Sequence, residues 1–355
     1  NGMVLKDLTG KSYDDESWEE ILDELSVDDM ITLINIGGWQ TSAIESIDKM
    51  ATTDCDGPAG LANFVTKNYG TSYPSEVLMA QTWSKEMAAQ IGDAMGQEYA
   101  AAENYGWYGP AMNIHRSPFA GRNFEYYSED SVFSGKFASE QVNGAAKWGV
   151  YPYVKHFALN DQETNRESIL MTYAPEQAIR EIYLKPFGTV ISNFDSDHYV
   201  MAVMSSYNWI GEKPACADPE LLQTVLRDEW GYRGMVISDY NGSYGYMNSD
   251  ACVRNGNDLM LGFGRADSNQ FKDRDSATLQ LAMRQSCKNI LYTVANSGYY
   301  KDASAVENTD GMDRMTKLFL TIDLAVGGAA LLSELLVLIL WLIKRKKANY
   351  VVVEE

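Results

Sequence analysis

The sequence predicts an α/β fold: a (β/α)8-type barrel followed by a single C-terminal transmembrane helix. Three observations predict it. Strand-like and helix-like segments alternate along the chain with no run of hairpins, the pattern of a parallel sheet with helical crossovers. The number of units favours a closed or nearly closed barrel over an open sheet. Several strand-like segments end on charged or aromatic residues, where parallel α/β folds place their chemistry. Finally, residues 324–343, LAVGGAALLSELLVLILWLI, are twenty residues with one charge, Glu334. At ~1.5 Å per residue they span ~30 Å, the hydrocarbon thickness of a bilayer.

Each element has its own signal. Residues 14–36 read as an acidic helix and a second helix start: Trp18, Ile21, Leu22 and Leu25 recur at helical spacing, and Ser26 precedes an acidic first turn as an N-cap. Residues 53–60 are a Gly/Pro turn. Residues 84–104 are helical, with Met87, Ile91 and Met95 on one side. Strand-like 107–114 follows, then helical 131–147, strand-like 150–157, helical 174–187, strand-like 199–205, helical 219–229 and strand-like 234–239. A short apolar 259–262 and a long helix over 277–295 complete the barrel. The organisation is then a barrel over 1–312, a linker and membrane helix over 313–343, and a short tail over 344–355.

Length and composition agree. The chain has 355 residues, which suits one barrel of roughly 250–300 residues plus extras. An apolar content of 45% is enough for a large core. Acidic residues outnumber basic ones 49 to 29, a net charge of −20, so nucleic acid is excluded as a partner. Cys55, Cys216, Cys252 and Cys287 form no CxxC pair, and His115, His156 and His198 form no HExxH helix. No metal and no cofactor are expected. Disulfides remain possible, with no pairing fixed. Gly262-Phe263-Gly264 lacks the third glycine of a phosphate loop, and GxSxG is absent.

In the apolar stretch, twelve Leu, Ile or Val residues, at roughly −0.3 to −0.6 kcal/mol each, offset one central acid at about +2.5 to +3.5. Lys344-Arg345-Lys346-Lys347 follows directly. The positive-inside rule puts this cluster in the cytoplasm and the large domain outside, a single-pass protein of the cell membrane whose lipid partner is the bilayer. A buried core helix is the alternative.

The chemistry sits at strand ends. GYRGMVISDYNG (231–242) places Asp239 after an apolar run; DCDGP carries Asp56; NIHRSPFAGRNFEYYSED carries Arg116, Arg122 and Glu125; VYPYVKHF ends on Lys155 and His156, with NDQETNR close behind; Tyr207-Asn208 follows VMAVMSS. Acids and amides hydrogen-bond vicinal hydroxyls and aromatic rings stack on sugar faces, so the set points to carbohydrate with a carboxylate near the anomeric carbon. Each residue also has an ordinary reading: Asp239 as a turn residue, Arg122 with Glu125 as an ion pair, His156 as a core histidine.

AMNIHRSPFAGRNFEYYSED closely resembles a signature of family 3 of the glycoside hydrolases. KHFALNDQETNR, VMSSYNWIG and GMVISDYNG match three more of its blocks in the expected order, and DGPAG and NGNDLML also fit. The resemblance covers roughly residues 14–300. It implies a barrel that cleaves β-linked sugars with retention, Asp239 as nucleophile forming a glycosyl-enzyme. It further implies Asp56, Arg122, Lys155, His156 and Tyr207 as substrate-binding residues, and Arg116, Glu125 and Arg166 as supporting ones. KHFALND differs from the KHFPGHG-type loop of the N-acetylhexosaminidase branch, which favours a β-glucosidase or β-xylosidase acting on β-linked oligosaccharides or glycosides.

A retaining mechanism needs a second carboxyl group as general acid/base, which in this part of the family comes from a second α/β domain. No such domain is readable after residue 300. Some family members carry the two domains in reversed order, and KDLTGKSYDDESWEEILDELS resembles the junction before their barrel. The chain is therefore expected to be the C-terminal part of a longer enzyme, its acid/base domain N-terminal to Asn1, with Glu163 or Glu167 as substitutes. The alternatives are a membrane-tethered carbohydrate-binding or sensor protein without full catalysis, and a fragment not stable alone.

Overall fold

In the computed structural model, residues 2–64, 66–241, 245–265, 269–301 and 311–351 are described. The chain divides into a unit over 1–306 and a second over 307–355. In the first, five parallel strands lie side by side in chain order: β1 (Asp54–Cys55), β2 (Gly106–Trp107), β3 (Tyr151–Phe157), β4 (Ala202–Ser205) and β5 (Val236–Ile237). The crossovers are helical. With the flanking helices they are α1 (Ser17–Leu22), α2 (Val27–Asn35), α3 (Lys85–Ala101), α4 (Ser131–Ala146), α5 (Lys185–Asn193), α6 (Glu220–Glu229) and α7 (Ala277–Ala295).

The sheet closes into a ring without further regular strands. Leu259 bridges Ile237 in parallel. Met260 N–H donates to Ile34 O at 2.8 Å, and Gly37 N–H donates to Met260 O at 3.1 Å. Asp54 N–H then donates to Trp39 O at 2.9 Å and Thr52 N–H to Thr41 O at 3.0 Å, which returns the ring to β1. That last pairing runs antiparallel, because 39 lies opposite 54 and 41 opposite 52. The eightfold regularity expected from the sequence is therefore corrected: the described residues form a barrel of five parallel strands closed by irregular segments. The physical cause lies at 37–39. A Cβ on Gly37 would sit 2.5 Å from Met260 O, and Trp39 takes a left-handed φ of 55°. The chain turns there and returns as a hairpin, which leaves no room for a helical crossover.

Local signals set the helices. Ser26 caps α2, its hydroxyl accepting from Asp29 N–H at 3.1 Å, and Ser84 caps α3 in the same way. Asp130 caps α4 by accepting from Val132 and Phe133. Four expectations change. Residues 53–60, expected as a turn, open with β1 at Asp54–Cys55. Met87 is exposed, and the buried stripe of α3 is Ala88, Ile91, Met95 and Tyr99. The helix expected over 174–187 runs on to Asn193 as α5. The strand expected over 107–114 stops after Trp107, because Pro110 offers no N–H to a ladder; it continues only as an extended segment touching β3 at Ala111–Lys155.

The strands alternate between two cores. Tyr151, Tyr153, Ala202, Met204, Met235 and Ile237 face the interior with α1, α2 and α7. Val150, Val154, Met201, Val203 and Val236 face α3, α4, α5 and α6. The interior is polar at one level: Tyr151 and Tyr153 hydroxyls donate to the two Asp54 oxygens at 2.6 and 2.7 Å. Burial pushes Asp54 up to about 6 and the nearby Lys49 down to about 7. All four cysteines are buried free thiols.

In the second unit, α8 (Gly311–Val351) has 41 residues, so the expected linker is helical where it is described. Within it, Leu324–Lys346 holds an 18-residue stretch with a mean hydropathy of 2.3 and is long and apolar enough to cross a membrane. Of the expected tail, residues 352–355 lie outside the described residues.

β5 is fastened by a buried ion pair. Asp258 Oδ2 lies 2.7 Å from Arg227 Nη2 and accepts from Val236 N–H at 2.7 Å, while Asp258 Oδ1 accepts from Asn289 Nδ2 at 2.8 Å. Removing one partner of such a pair strands the other charge away from water. Asp258→Ala should therefore cost on the order of 3–5 kcal/mol, read as an earlier midpoint in urea unfolding, and Asp258→Asn should cost less.

Candidate active site

β5 ends at Ile237, but the chain beyond it stays in register with 259–261. Ser238 N–H donates to Leu259 O at 2.9 Å, Leu261 N–H to Ser238 Oγ at 3.0 Å, and Asn241 N–H to Leu261 O at 2.8 Å. These bonds hold Asp239 at the carboxyl end of the ring. Its Oδ1 accepts from Tyr240 N–H at 2.7 Å. Its Oδ2 is buried with no hydrogen-bond partner and lies 3.8 Å from His156 Nε2. Burial pushes the carboxyl above the usual aspartate range; Arg122, Arg166, the Tyr240 amide and Lys155 pull it back. Gly242, the second half of the turn signal, lies outside the described residues.

The end of β3 supplies Lys155 and His156. The His156 backbone is clamped by Asn113, which accepts from its N–H at 2.7 Å and donates to its carbonyl at 2.8 Å. Its Nδ1 faces Tyr126 Oη at 3.5 Å. Burial holds the imidazole well below its ordinary pKa, and the cations Arg122, Lys155 and Arg166 push the same way, so the ring is neutral. With Tyr126 as donor to Nδ1, the network leaves Nε2–H directed at Asp239. The 3.8 Å between them is too long for a hydrogen bond. Lys155 Nζ lies 3.7 Å from Asp56 Oδ1, and Asp56 Oδ2 accepts from Trp39 Nε1 at 3.1 Å.

Two arginines close the other side. Arg122 Nε pairs with Glu125 Oε1, and Arg122 Nη1 lies 3.8 Å from Glu163 Oε1. Arg166 Nη1 lies 2.8 Å from Glu163 Oε2, and its guanidinium covers the Tyr207 ring at 4.2 Å. Tyr207 Oη donates to Tyr240 O, which ties the block after β4 to the residue after Asp239. Asp239, His156, Lys155, Asp56, Arg122, Glu125, Arg166 and Tyr207 thus form one linked cluster. Arg116 differs: it is exposed and lies over Tyr183 at 5.5 Å.

The carboxylates around Asp239 are engaged. Asp56 faces Lys155, Glu125 holds Arg122, and Glu163 sits between two guanidinium groups with Asn160 Nδ2 at 3.1 Å. Such contacts suit Glu163 to positioning the arginines, and not to donating a proton. The Glu167 side chain lies outside the described residues. Among the described residues, no three His, Cys, Asp or Glu side chains could hold a metal ion.

Sequence reasoning misses Trp39, Asn113, Tyr126 and Asn160, which orient the cluster. It also misses an aromatic rim. Around Trp39 lie Phe64, Tyr240 and Phe263, with ring centroids at 4.6, 5.8 and 5.9 Å, and these three are 51%, 38% and 48% exposed. No spacing joins positions 39, 64, 240 and 263; the only signal is that each stands beside a turn-forming or strand-end segment.

Known proteins resemble this chain in sequence and in fold. The chain is 35% identical over 256 residues to "Beta-glucosidase A" of Butyrivibrio fibrisolvens, covering 69% of this chain and 30% of that protein. It is 32% identical over 297 residues to "Beta-glucosidase B" of Emericella nidulans, covering 81% and 34%. The chain thus spans about a third of the length of these curated relatives. Among solved structures, β-glucosidase 3B of Thermotoga neapolitana in complex with α-D-glucose superposes with a TM-score of 0.71 at 31% identity, covering 85% of this chain and 46% of that one. The β-glucosidase of Bifidobacterium adolescentis gives 0.71 at 28% identity, covering 81% and 41%. Residues 36–257 match the glycosyl hydrolase family 3 N terminal domain, and by that match the chain belongs to glycoside hydrolase family 3.

Proposed function

We propose that this chain is the barrel of a retaining β-glycosidase, a β-glucosidase by the names of its relatives, and that Asp239 is its nucleophile. The observation that carries the reading is the Asp239 Oδ2 atom: buried, free of hydrogen bonds, and faced by a neutral His156 among three cations. The Asp239 carboxylate attacks the anomeric carbon while the bond to the leaving-group oxygen breaks, and water later releases the sugar from the glycosyl-enzyme. Lys155, Arg122 and His156 Nε2–H donate to sugar hydroxyls, and Asp56 accepts from one. The arginines also favour the ionised nucleophile.

The leaving oxygen needs a proton. With Asp56, Glu125 and Glu163 engaged by cations, we assign the acid/base to a part of the protein outside these 355 residues, in the reversed domain order that the sequence suggests. We further assign Leu324–Lys346 as a single-pass anchor, with the barrel outside the cell and the Lys344–Lys346 end in the cytoplasm.

Three experiments test this reading. An activated 2-fluoro glucoside should label the peptide containing Asp239. Asp239→Ala should abolish labelling and lower turnover by several orders of magnitude; labelling of another carboxylate removes the assignment. The labelling rate should fall on the acid side at a pH above the ordinary aspartate range, since burial raises the Asp239 pKa.

Residues 1–355 alone should cleave aryl β-glucosides weakly and cellobiose scarcely at all. An aryl leaving group departs without a proton, whereas general acid help is worth typically about 10²–10⁴-fold for a poor one. Efficient cellobiose hydrolysis would refute the missing acid and return attention to Glu167.

The full chain should stay with membranes through an alkaline carbonate wash, and protease added to intact cells should digest the barrel. Release by the wash, or a barrel protected while the tail is cut, would reverse the assignment.

A further inference from the structure

Glu76 opens the short helix Glu76–Ala80 and is 1% exposed, yet neither carboxyl oxygen has a hydrogen-bond partner from another residue. The helix packs on Asn123–Glu125, the segment whose Glu125 holds Arg122. The titratable groups that face Glu76 are Glu125 from that segment, Tyr127 just beyond it, and Lys155 from β3. Tyr127 is turned to Gln141, to which its hydroxyl donates. Glu76 therefore lies behind two of the groups that line the Asp239 cluster, outside the cluster itself.

A carboxylate in this place would be buried without a cation of its own, a costly state. The neutral acid is not. We propose that Glu76 is a positioning residue of the sugar pocket: as the neutral acid it lets Glu125 hold Arg122 and lets Lys155 face Asp56, and on losing its proton it disrupts both. Ionisation would set a second negative charge against Glu125, pushing that carboxylate and its arginine away. It would also draw Lys155 back from the Asp56 side of the pocket. No bond is made or broken beyond the loss of one proton to solvent.

Burial pushes the Glu76 carboxyl up to about 8; Glu125 adds to the rise and Lys155 opposes it. The folded chain thus keeps a proton that the unfolded chain gives up near 4.5. The stability linked to that proton is complete below about 4.5 and is lost as pH rises to about 8.

The test has two arms, both on the full chain and its Glu76→Gln variant, which keeps the size and shape of the side chain. The first is carbon NMR of protein labelled at the glutamate carboxyl carbon. One resonance should remain at the protonated position at neutral pH, titrate at about 8, and be missing in the variant. If every glutamate is ionised at neutral pH, the proposal fails. The second arm rests on the glycosidase reading and follows the rate of Asp239 labelling against pH. The wild-type rate should fall about tenfold per pH unit above about 8, whereas the ratio of alkaline to neutral rates in Glu76→Gln should stay near unity. A variant with the same alkaline fall overturns the positioning role. A wild type that is never labelled refutes the nucleophile assignment, and the NMR arm then decides on Glu76.

Discussion

The buried carboxylate of Asp258 organises the end of the barrel on which the site is built. It accepts from the backbone of β5, from Arg227 on α6 and from Asn289 on α7, so one side chain joins a strand to the helices before and after it. Arg227 in turn donates to Gly234 O and Gly256 O, fixing the chain as it enters β5 and as it leaves for the next stave. With both ends fixed, the segment after β5 has one way to lie on 259–261, and Asp239 is presented at a defined height. A two-residue strand would not hold a buried carboxyl in place by its ladder alone.

Above that anchor the electrostatics run against the rest of the molecule. The chain carries a net charge of −20, but Arg122, Lys155 and Arg166 all act on Asp239 and on His156. The same three cations favour the ionised form of the carboxylate and the neutral form of the imidazole. That pairing suits a site in which one group must carry negative charge and its neighbour must donate a hydrogen bond without becoming an ion. Asp56, Glu125 and Glu163 balance the cations and hold their directions.

Much of this is legible in the sequence. Asp239, Lys155 and His156 each end an apolar run, so strand direction alone puts them on one rim, and Arg122, Arg166 and Tyr207 lie in quotable blocks. Arg116 lies in such a block too, yet folds outward, because a block records proximity along the chain and not direction. The helices are legible where Ser26 supplies a cap and where the long apolar pattern of α7 repeats. The strands are shorter than their apolar runs, because hydrophobicity marks burial while a ladder needs a partner of equal length. Trp39 and Asn113 escape because their roles depend on residues distant in the chain. The ring closure escapes because it is made by main-chain groups that carry no pattern of their own.

That closure has a consequence for how such a chain can drift. At Gly37 and Gly38 the backbone lies so near Met260, Gly262 and Phe263 that any side chain would displace main-chain or ring atoms. In the hairpin between Thr41 and Thr52, where Ile44, Ile47 and Lys49 are buried, new side chains are free to accumulate at the exposed Ala43, Glu45 and Ser46. They have no such freedom three residues earlier. The barrel therefore has a seam, a line of two residues along which descent is recorded by what cannot be added rather than by what chemistry requires.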